Sequence, residues 1–252
     1  MVKPSTLKSD IRILTASTLK LLAAILMVID HIGMIFFPSV DLFRIIGRIA
    51  FPLFAFLIAE GCRYTRNPKK RFFMILGLGI ICETVYVLYA GVIQGNVLLT
   101  FSLSILLIHA LDHFKRCSFR GNRAATVASA ITFLLILAAT VVICPLLSID
   151  YGIFGVCAPV LASFFDYKEG QHSEFFRFYD HLPIKVAAFG LMLFFLVLDR
   201  GLQNIQTWCL LALPILFLYN GKRGRKGFKY GFYIFYPVHL LLLEGLAMLI
   251  RK

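Results

Sequence analysis

Residues 26–37 read Leu-Met-Val-Ile-Asp-His-Ile-Gly-Met-Ile-Phe-Phe and lie within a mostly apolar stretch that extends from about residue 17 to residue 37. A stretch of about 20 such residues is long enough to cross the roughly 30 Å hydrocarbon core of a bilayer as a helix. The stretch also carries Asp30 and His31, and a charged group at that depth costs roughly 2.5–3.5 kcal/mol on insertion scales. Such groups normally face a protein interior or a wet cavity. The segment therefore predicts a membrane-spanning helix with a functional polar pair.

The rest of the chain repeats this apolar pattern. Of its 252 residues, 60% are hydrophobic and only 15% are charged. The sequence predicts an all-α polytopic membrane protein with about nine transmembrane helices, in a single integral membrane domain that covers residues 1–252. The predicted helices lie near residues 17–37, 46–64, 72–90, 97–114, 124–146, 150–166, 184–200, 205–220 and 229–250. The helix near 150–166 contains Gly152, Gly155 and Pro159 and is expected to be broken or tilted.

The basic residues follow this predicted topology. A net charge of +13 would suit a nucleic-acid partner, but the 26 Lys and Arg residues are distributed between apolar stretches. Nine crossings assign most of them to one face of the membrane, which the positive-inside rule makes the cytoplasmic face. The N-terminus is therefore expected in the cytoplasm, and no nucleic-acid partner is expected. Arg44 and Arg48 fall at the opposite face as exceptions.

Ionisable and polar side chains concentrate in the predicted outer half of the helices. His31 can accept a proton from a nucleophile near neutral pH, although a satisfied structural histidine is the alternative. Asp30 points about 100° away from His31 on a helix, so we expect the two to contact different neighbours rather than form a catalytic dyad. The other members of this set, which would line one outer cavity, are Arg44, Arg48, Glu83, Asn96, Thr100, Asp150, Tyr151, His239 and Glu244.

Two members of this set form a pair, and a third follows a proline. Arg44 and Arg48 are one helical turn apart, so they share a face that suits a carboxylate, a phosphate or a developing oxyanion. Snorkelling to the interface, or pairing with Asp41, is the alternative. His239 follows Pro237, which frees a backbone carbonyl and bends the helix toward a cavity.

Polar connections suggest further sites. Residues 219–227, Tyr-Asn-Gly-Lys-Arg-Gly-Arg-Lys-Gly, either set the topology and touch anionic lipid or help dock the phosphates of a cytosolic donor. The connection from Asp166 to Pro183 mixes charged and aromatic residues and predicts an interfacial loop or a short amphipathic helix. His109 and His113 have a spacing that suits metal binding, but no second compact ligand group is visible, so no metal is expected.

Several of these motifs resemble one protein family. Asp30-His31-Ile32-Gly33 and residues 44–61, Arg-Ile-Ile-Gly-Arg-Ile-Ala-Phe-Pro-Leu-Phe-Ala-Phe-Leu-Ile-Ala-Glu-Gly, resemble the TraX family. The resemblance continues, in the expected order, through residues 64–67 (Tyr-Thr-Arg-Asn), 150–155, 219–224 and 233–239. It spans nearly the whole chain, and the block at 44–61 is its most specific part.

The resemblance implies an activity. Family members are named for N-acetylation of a conjugative pilin subunit in the bacterial inner membrane, and they are similar to transmembrane acyltransferases that use cytosolic acetyl-CoA. The resemblance implies an acyltransferase-like bundle in the bacterial cytoplasmic membrane, with acetyl-CoA as donor. The acceptor would be a pilin-like peptide, a glycan or a small amine or alcohol. Catalytic roles are implied for His31, as general base or acyl carrier, and for Asp30, Arg48 and His239.

The remaining candidate residues divide between the two substrates. Those assigned to acetyl-CoA are Glu60, Arg63, Arg66, Asn67, Tyr219, Asn220, Lys222 and Arg223. Those assigned to the acceptor are Arg44, Glu83, Asn96, Asp150 and Tyr151. A proton-coupled transporter is the main alternative function, because intramembrane acids and histidines also suit a proton relay. The sequence has no visible internal repeat, which disfavours a carrier. An assembly scaffold, in which the buried charges are structural, is the third possibility.

Overall fold

The protein is helical throughout the part that the computed structural model describes, which comprises residues 12–166, 174–224 and 231–250, without the side chains of residues 232 and 233. No β-strand occurs among these residues. The helices are α1 (Ala16–Phe36), α2 (Asp41–Gly47), α3 (Ala50–Tyr64), α4 (Pro68–Ala90), α5 (Val97–Phe119), α6 (Arg123–Leu146), α7 (Gly152–Phe164), α8 (Glu174–Tyr179), α9 (Leu182–Arg200), a 3₁₀ helix (Ile205–Leu211), α10 (Ala212–Phe217) and α11 (Gly231–Ile250).

Among the described residues, six helical segments are long and apolar enough to cross a membrane, with α2 and α3 counted together. They are Ala16–Phe36, Asp41–Tyr64, Pro68–Ala90, Val97–Phe119, Arg123–Leu146 and Leu182–Arg200. Three shorter apolar helices, Gly152–Phe164, Ile205–Phe217 and Ile234–Ile250, coincide with the other predicted spans. The prediction of a helical, multi-pass membrane protein is thus confirmed at this level, and the count of nine crossings stays a prediction.

Two prolines coincide with the places where the second and eighth predicted helices are interrupted. The predicted helix 46–64 is preceded by α2 and interrupted after Gly47, and α3 has Pro52 in its first turn. A proline ring opposes the carbonyl four residues earlier, so Pro52 disfavours a continuous helix through Arg48. Pro214 acts in the same way on the predicted helix 205–220. That prediction is wrong as a single α-helix, because a 3₁₀ helix and the six-residue α10 replace it.

The helix predicted near 150–166 is shorter but unbroken. It runs from Gly152 to Phe164 with Pro159 inside it, so the expected break is absent. It begins late because Tyr151 has a left-handed backbone with φ 63°, which cannot belong to a right-handed helix. In the polar connection that follows, residues 167–173 lie outside the described residues, and the remainder contains the short helix α8. Residues 229 and 230 of the last predicted helix also lie outside them.

The helices form two compact units, Met1–Phe54 with Ile205–Lys252 and Ala55–Asn204. In the first unit α1 packs against α2 and α11, and α2 packs against the 3₁₀ helix. Leu14 bridges to Tyr219, and the amide of Ala16 donates to the carbonyl of Lys222 at 2.9 Å. The start of α1 is thus tied to the loop that follows α10.

In the second unit α5 packs against α4, α6 and α7, and α7 packs against α9. Two hydroxyl groups of α5 donate to backbone carbonyls in and just before α7. The Thr100 hydroxyl donates to the carbonyl of Asp150 at 2.7 Å, and the Ser104 hydroxyl donates to the carbonyl of Val156 at 2.9 Å. At the other end of α5, the Lys115 ammonium donates to the carbonyl of Ser163. With a rise of 1.5 Å per residue, Thr100 and Lys115 lie about 22 Å apart. Side chains near both ends of α5 therefore donate hydrogen bonds to the backbone in and around α7.

Candidate functional site

Two histidines from distant parts of the chain meet in the first unit. His31 lies on α1 and His239 on α11, and Nδ1 of His31 is 3.3 Å from Nε2 of His239. Their ring centroids are 5.0 Å apart with an interplanar angle of 63°. His239 is buried, with 5% of its surface exposed, and His31 is partly buried. The structure therefore brings together the two histidines that the sequence singled out separately.

Backbone carbonyls determine which nitrogen of each ring carries the proton. Nδ1 of His31 lies 2.8 Å from the carbonyl oxygen of Met27, and Nδ1 of His239 lies 2.9 Å from that of Phe235. A carbonyl oxygen can only accept, so Nδ1 is the donor in both rings. The neutral His239 then has an accepting Nε2, which can share the Nδ1 proton of His31. This assignment leaves the lone pair of His31 on Nε2, where the ring can accept a proton.

Asp30 binds the two arginines instead of His31. Arg48 donates through Nη2 to both carboxylate oxygens of Asp30, at 2.9 and 2.8 Å, and Arg44 donates through Nη1 to Oδ2 at 2.9 Å. The side chains are 13% exposed for Asp30 and Arg48 and 26% for Arg44. The helix geometry had indicated that Asp30 and His31 contact different neighbours, and they do. Asp30, the neighbour of His31 in sequence, thus holds the guanidinium groups of Arg44 and Arg48 in place.

Small residues allow α2 to approach α1 closely enough for these contacts. A Cβ atom added to Gly47 would lie 2.2 Å from Cβ and from Oδ1 of Asp30. One added to Gly33 would lie 2.3 Å from Cβ of Phe43. Both distances are far below van der Waals contact, so only glycine fits at these two positions. Gly33 and Gly47 belong to the motifs that carry the family resemblance, and this contact gives them a physical role.

Sequence reasoning missed Gln206. It lies on the 3₁₀ helix, is 6% exposed, and its Oε1 accepts from Nη1 of Arg48 at 3.4 Å. The predicted regular helix at 205–220 gave no reason to select a glutamine in its first turn. Its role depends on a contact across 158 residues of chain, which no local pattern reveals. We refer to Asp30, His31, Arg44, Arg48, Gln206 and His239 as the histidine–arginine site.

Four of the residues assigned to the acceptor lie in the second unit, near the loops that join α4 to α5 and α6 to α7. The carboxylate of Glu83 accepts from the backbone of Gln94 at 2.8 Å and from the side-chain nitrogen of Asn96 at 3.0 Å. Asp150 donates its amide to the carbonyl of Gly95 at 2.6 Å, and Tyr151 follows it in the left-handed conformation. Glu83, Asn96, Asp150 and Tyr151 are thus brought together as neighbours in two paired loops. Arg44 belongs to the first unit.

Two of the residues assigned to acetyl-CoA take part in a buried ion-pair network at the other end of the second unit. Arg63 forms a bidentate pair with Asp180, with distances of 2.7 and 2.6 Å. The ammonium of Lys185 contacts Asp166, lies 2.8 Å from Asp180 and 3.9 Å from Glu60. Burial opposes ionisation of Asp180, but hydrogen bonds from Arg63 and Lys185 outweigh it and hold the pKa of this carboxyl below its ordinary value. Glu60 and Arg63 therefore join α3 to the start of α9.

The other residues assigned to acetyl-CoA lie at helix ends and are mostly exposed. Asn67 caps α4 by accepting from the amide of Lys70 at 3.2 Å, and Arg66 beside it is exposed. Tyr219 is buried in the bridge to Leu14, and Asn220 accepts from the amide of Lys222 at 2.9 Å. The loop carbonyls of Lys222 and Arg223 accept from the first amides of α1, whereas the side chains of both residues are exposed. The loop therefore presents cations, and its residues 225–227 lie outside the described residues.

Comparison with known proteins gives a family and one full-length relative. The family model described as "TraX protein" matches residues 15–247. In an alignment 261 positions long, the chain is 28% identical to the probable fimbrial assembly protein FimC, serogroup H1, of Dichelobacter nodosus. The alignment covers 94% of this chain and 97% of that protein. Over 87 residues it is 39% identical to the uncharacterized protein RP591 of Rickettsia prowazekii (strain Madrid E), covering 34% and 33% of the two chains. No solved structure matches the chain.

Proposed function

The chain belongs to the TraX protein family, and from this premise we propose that it is a membrane acetyltransferase that uses acetyl-CoA to acetylate an amine or hydroxyl group. The single observation that carries this proposal is the histidine–arginine site. It combines a neutral imidazole, whose basic atom is defined by its hydrogen bonds, with two guanidinium groups held by one carboxylate. A base and fixed positive charge are the two groups that acyl transfer requires.

His31 supplies the base in this proposal. Its Nε2 accepts the proton of the acceptor amine or hydroxyl as that group attacks the acetyl carbonyl. The imidazolium that results keeps its Nδ1 proton on the carbonyl of Met27 and on Nε2 of His239, at 2.8 and 3.3 Å. These contacts orient the ring throughout the step. His31 then gives this proton to the departing thiolate of CoA. Attack of Nε2 itself on the acetyl carbonyl, which would make His31 the acyl carrier, uses the same lone pair.

The arginines supply the positive charge. Acyl transfer places a negative charge on the carbonyl oxygen in the transition state, and preorganised donors stabilise it without reorganising during the step. Asp30 holds Arg48 by two hydrogen bonds and Arg44 by one, so the guanidinium groups have a fixed orientation. In this role Asp30 and Gln206 position Arg48, and Asp30 has no part in proton transfer.

The substrates follow from the family and from the exposed cations. The full-length relative is named as a probable fimbrial assembly protein, so a pilin-like peptide is the first acceptor to test, followed by glycans and small amines or alcohols. Acetyl-CoA carries several phosphates, which the exposed side chains of Arg66, Lys222 and Arg223 would attract. Docking on Arg63 would require exchange with Asp180. We place the protein in the bacterial cytoplasmic membrane with its N-terminus in the cytoplasm, as the distribution of basic residues favours.

Transfer of label from radiolabelled acetyl-CoA by the purified protein tests the proposal. The wild type is incubated with pilin-derived peptides, glycans and small amines, beside His31→Ala and the matched control His113→Ala, which alters an exposed histidine of α5. We expect label in an acceptor with the wild type and with His113→Ala, and at least a roughly hundredfold loss with His31→Ala, as for a general base. Absence of both acetyl-CoA binding and acetyl turnover in the wild type would refute an acetyltransferase. Substrate flux into sealed proteoliposomes without acetyl-CoA would instead support the proton-coupled transporter.

A further inference from the structure

Helix α8 exposes two phenyl rings on one side. Phe175 is 54% exposed and Phe178 is 68% exposed, and their spacing of three residues places them on the same face of a helix. Phe176 points into the unit instead, because its ring lies 5.6 Å from that of Phe119 and 6.1 Å from that of Phe164. Covering apolar area of this kind with an apolar partner is favourable. The question is what covers Phe175 and Phe178.

The position of α8 in the chain limits the answer. It ends at Tyr179, and α9, a candidate membrane span, begins at Leu182. Three residues of extended chain cover about 10 Å, so α8 must lie near the end of that span. Its contact with Phe119 places it equally near the end of α5, a second candidate span. Two independent connections therefore hold α8 at the level where spans leave the membrane.

Exposed arginines lie on α8 and on the neighbouring end of α5. Arg116 near the end of α5, Arg120 in the turn that follows and Arg123 at the start of α6 are all exposed, and Phe119, the last residue of α5, touches Phe176 of α8. Arg177 of α8 is exposed as well. Aromatic rings are enriched at the membrane–water boundary, and clustered arginines beside a span are attracted to anionic headgroups.

We propose that α8, the end of α5 and the turn that follows α5 form a contact face for anionic phospholipid, which we call the α8 face. Phe175 and Phe178 insert into the boundary between headgroups and acyl chains, and Arg116, Arg120 and Arg177 contact lipid phosphates. The occupant is the lipid surface, because the rings, the arginines and the ends of two spans coincide there. The proposal is independent of the acetyltransferase activity and makes α8 an anchor parallel to the membrane surface.

Depth-dependent fluorescence quenching tests the α8 face on the full chain. The sequence contains one tryptophan, so Trp208→Phe gives a background in which Phe178→Trp is the only tryptophan, which can be excited selectively over tyrosine. The protein is reconstituted in bilayers that contain phosphatidylcholine brominated at shallow or deep positions. We expect blue-shifted emission that the shallow bromines quench most, as for a ring about 5–10 Å below the surface. The matched control is Phe176→Trp on the same helix, whose emission should be blue-shifted but little quenched.

Lipid charge is tested in the same reconstitution. Brominated phosphatidylglycerol should quench the Phe178→Trp emission more than brominated phosphatidylcholine does, and Arg116→Gln with Arg120→Gln should remove that preference. Red-shifted emission without quenching would place the ring in water and overturn the proposal. Blue-shifted emission without quenching would show that a protein surface covers the ring, and would overturn it equally. If Phe178→Trp does not fold, Phe175→Trp provides the same readout.

Discussion

Replacing Gly47 by alanine tests the packing that supports the histidine–arginine site. The added Cβ would lie 2.2 Å from Cβ and Oδ1 of Asp30, so α2 must move or Asp30 must leave its arginine partners. Overpacking of this kind typically costs about 1–3 kcal/mol. The intrinsic helix preference of alanine over glycine, about 1 kcal/mol, acts in the opposite direction. The matched control is Gly77→Ala in α4, where a Cβ meets nothing within 4 Å and only the favourable term of about 1 kcal/mol remains.

The comparison between these two variants is therefore the measurement. Because the helix preference of alanine is the same in both variants, their free energies of unfolding should differ by the overpacking cost alone, about 1–3 kcal/mol in favour of Gly77→Ala, or about 2–12 °C in the midpoint of thermal unfolding in detergent. A separate variant, Gly33→Ala, should behave like Gly47→Ala, because its added Cβ would lie 2.3 Å from the Cβ of Phe43. Equal midpoints for Gly47→Ala and Gly77→Ala would show that α1 and α2 do not approach at Asp30, and would remove the basis for the fixed guanidinium groups.

Three further predictions address other parts of the molecule. Gln206→Leu removes an acceptor from a charged guanidinium and should slow acetyl transfer by about tenfold with little change in thermal stability, whereas the exposed Gln203→Leu should leave the rate unchanged. Asp180→Asn should destabilise the protein by a constant amount above about pH 4, and the difference from the wild type should shrink as the pH falls through the lowered pKa of that carboxyl. Single cysteines at Ser118 and Asn204 should react with an impermeant reagent from opposite sides of the membrane, and equal outer reactivity would contradict the predicted topology.

The helical class and the long spans were predictable because each depends on local composition. A span needs about 20 apolar residues in sequence, and no distant contact is required to recognise it. The short elements were less predictable because prolines act at a distance of four residues. Pro52 and Pro214 lie inside apolar stretches that look continuous, but each disfavours the helix through the residue four positions before it. The resulting break at Arg48 and the 3₁₀ turn at Gln206 bring those two side chains to one place.

The residues of the candidate site were predictable one by one, but their partners were not. Helix geometry alone separated Asp30 from His31, since adjacent residues diverge by about 100°. The partner of His31, however, lies 208 residues away, and that of Arg48 on the 3₁₀ helix 158 residues away. Such contacts depend on which helices pack together, and an apolar sequence pattern is the same for many packing orders.

The contacts of Asp30 also change the meaning of a buried acid in a membrane segment. From sequence alone, Asp30 is a costly charge that suggests proton transfer. In the structure its carboxylate instead accepts three hydrogen bonds from two guanidinium groups and holds Arg44 and Arg48 in place. The basic atom nearest in sequence is then Nε2 of His31, whose own hydrogen bonds leave its lone pair available. Acyl transfer needs a fixed positive charge and one base. The ion pairs of Asp30 with Arg44 and Arg48 fix that positive charge beside His31, which supports the proposal of acyl transfer.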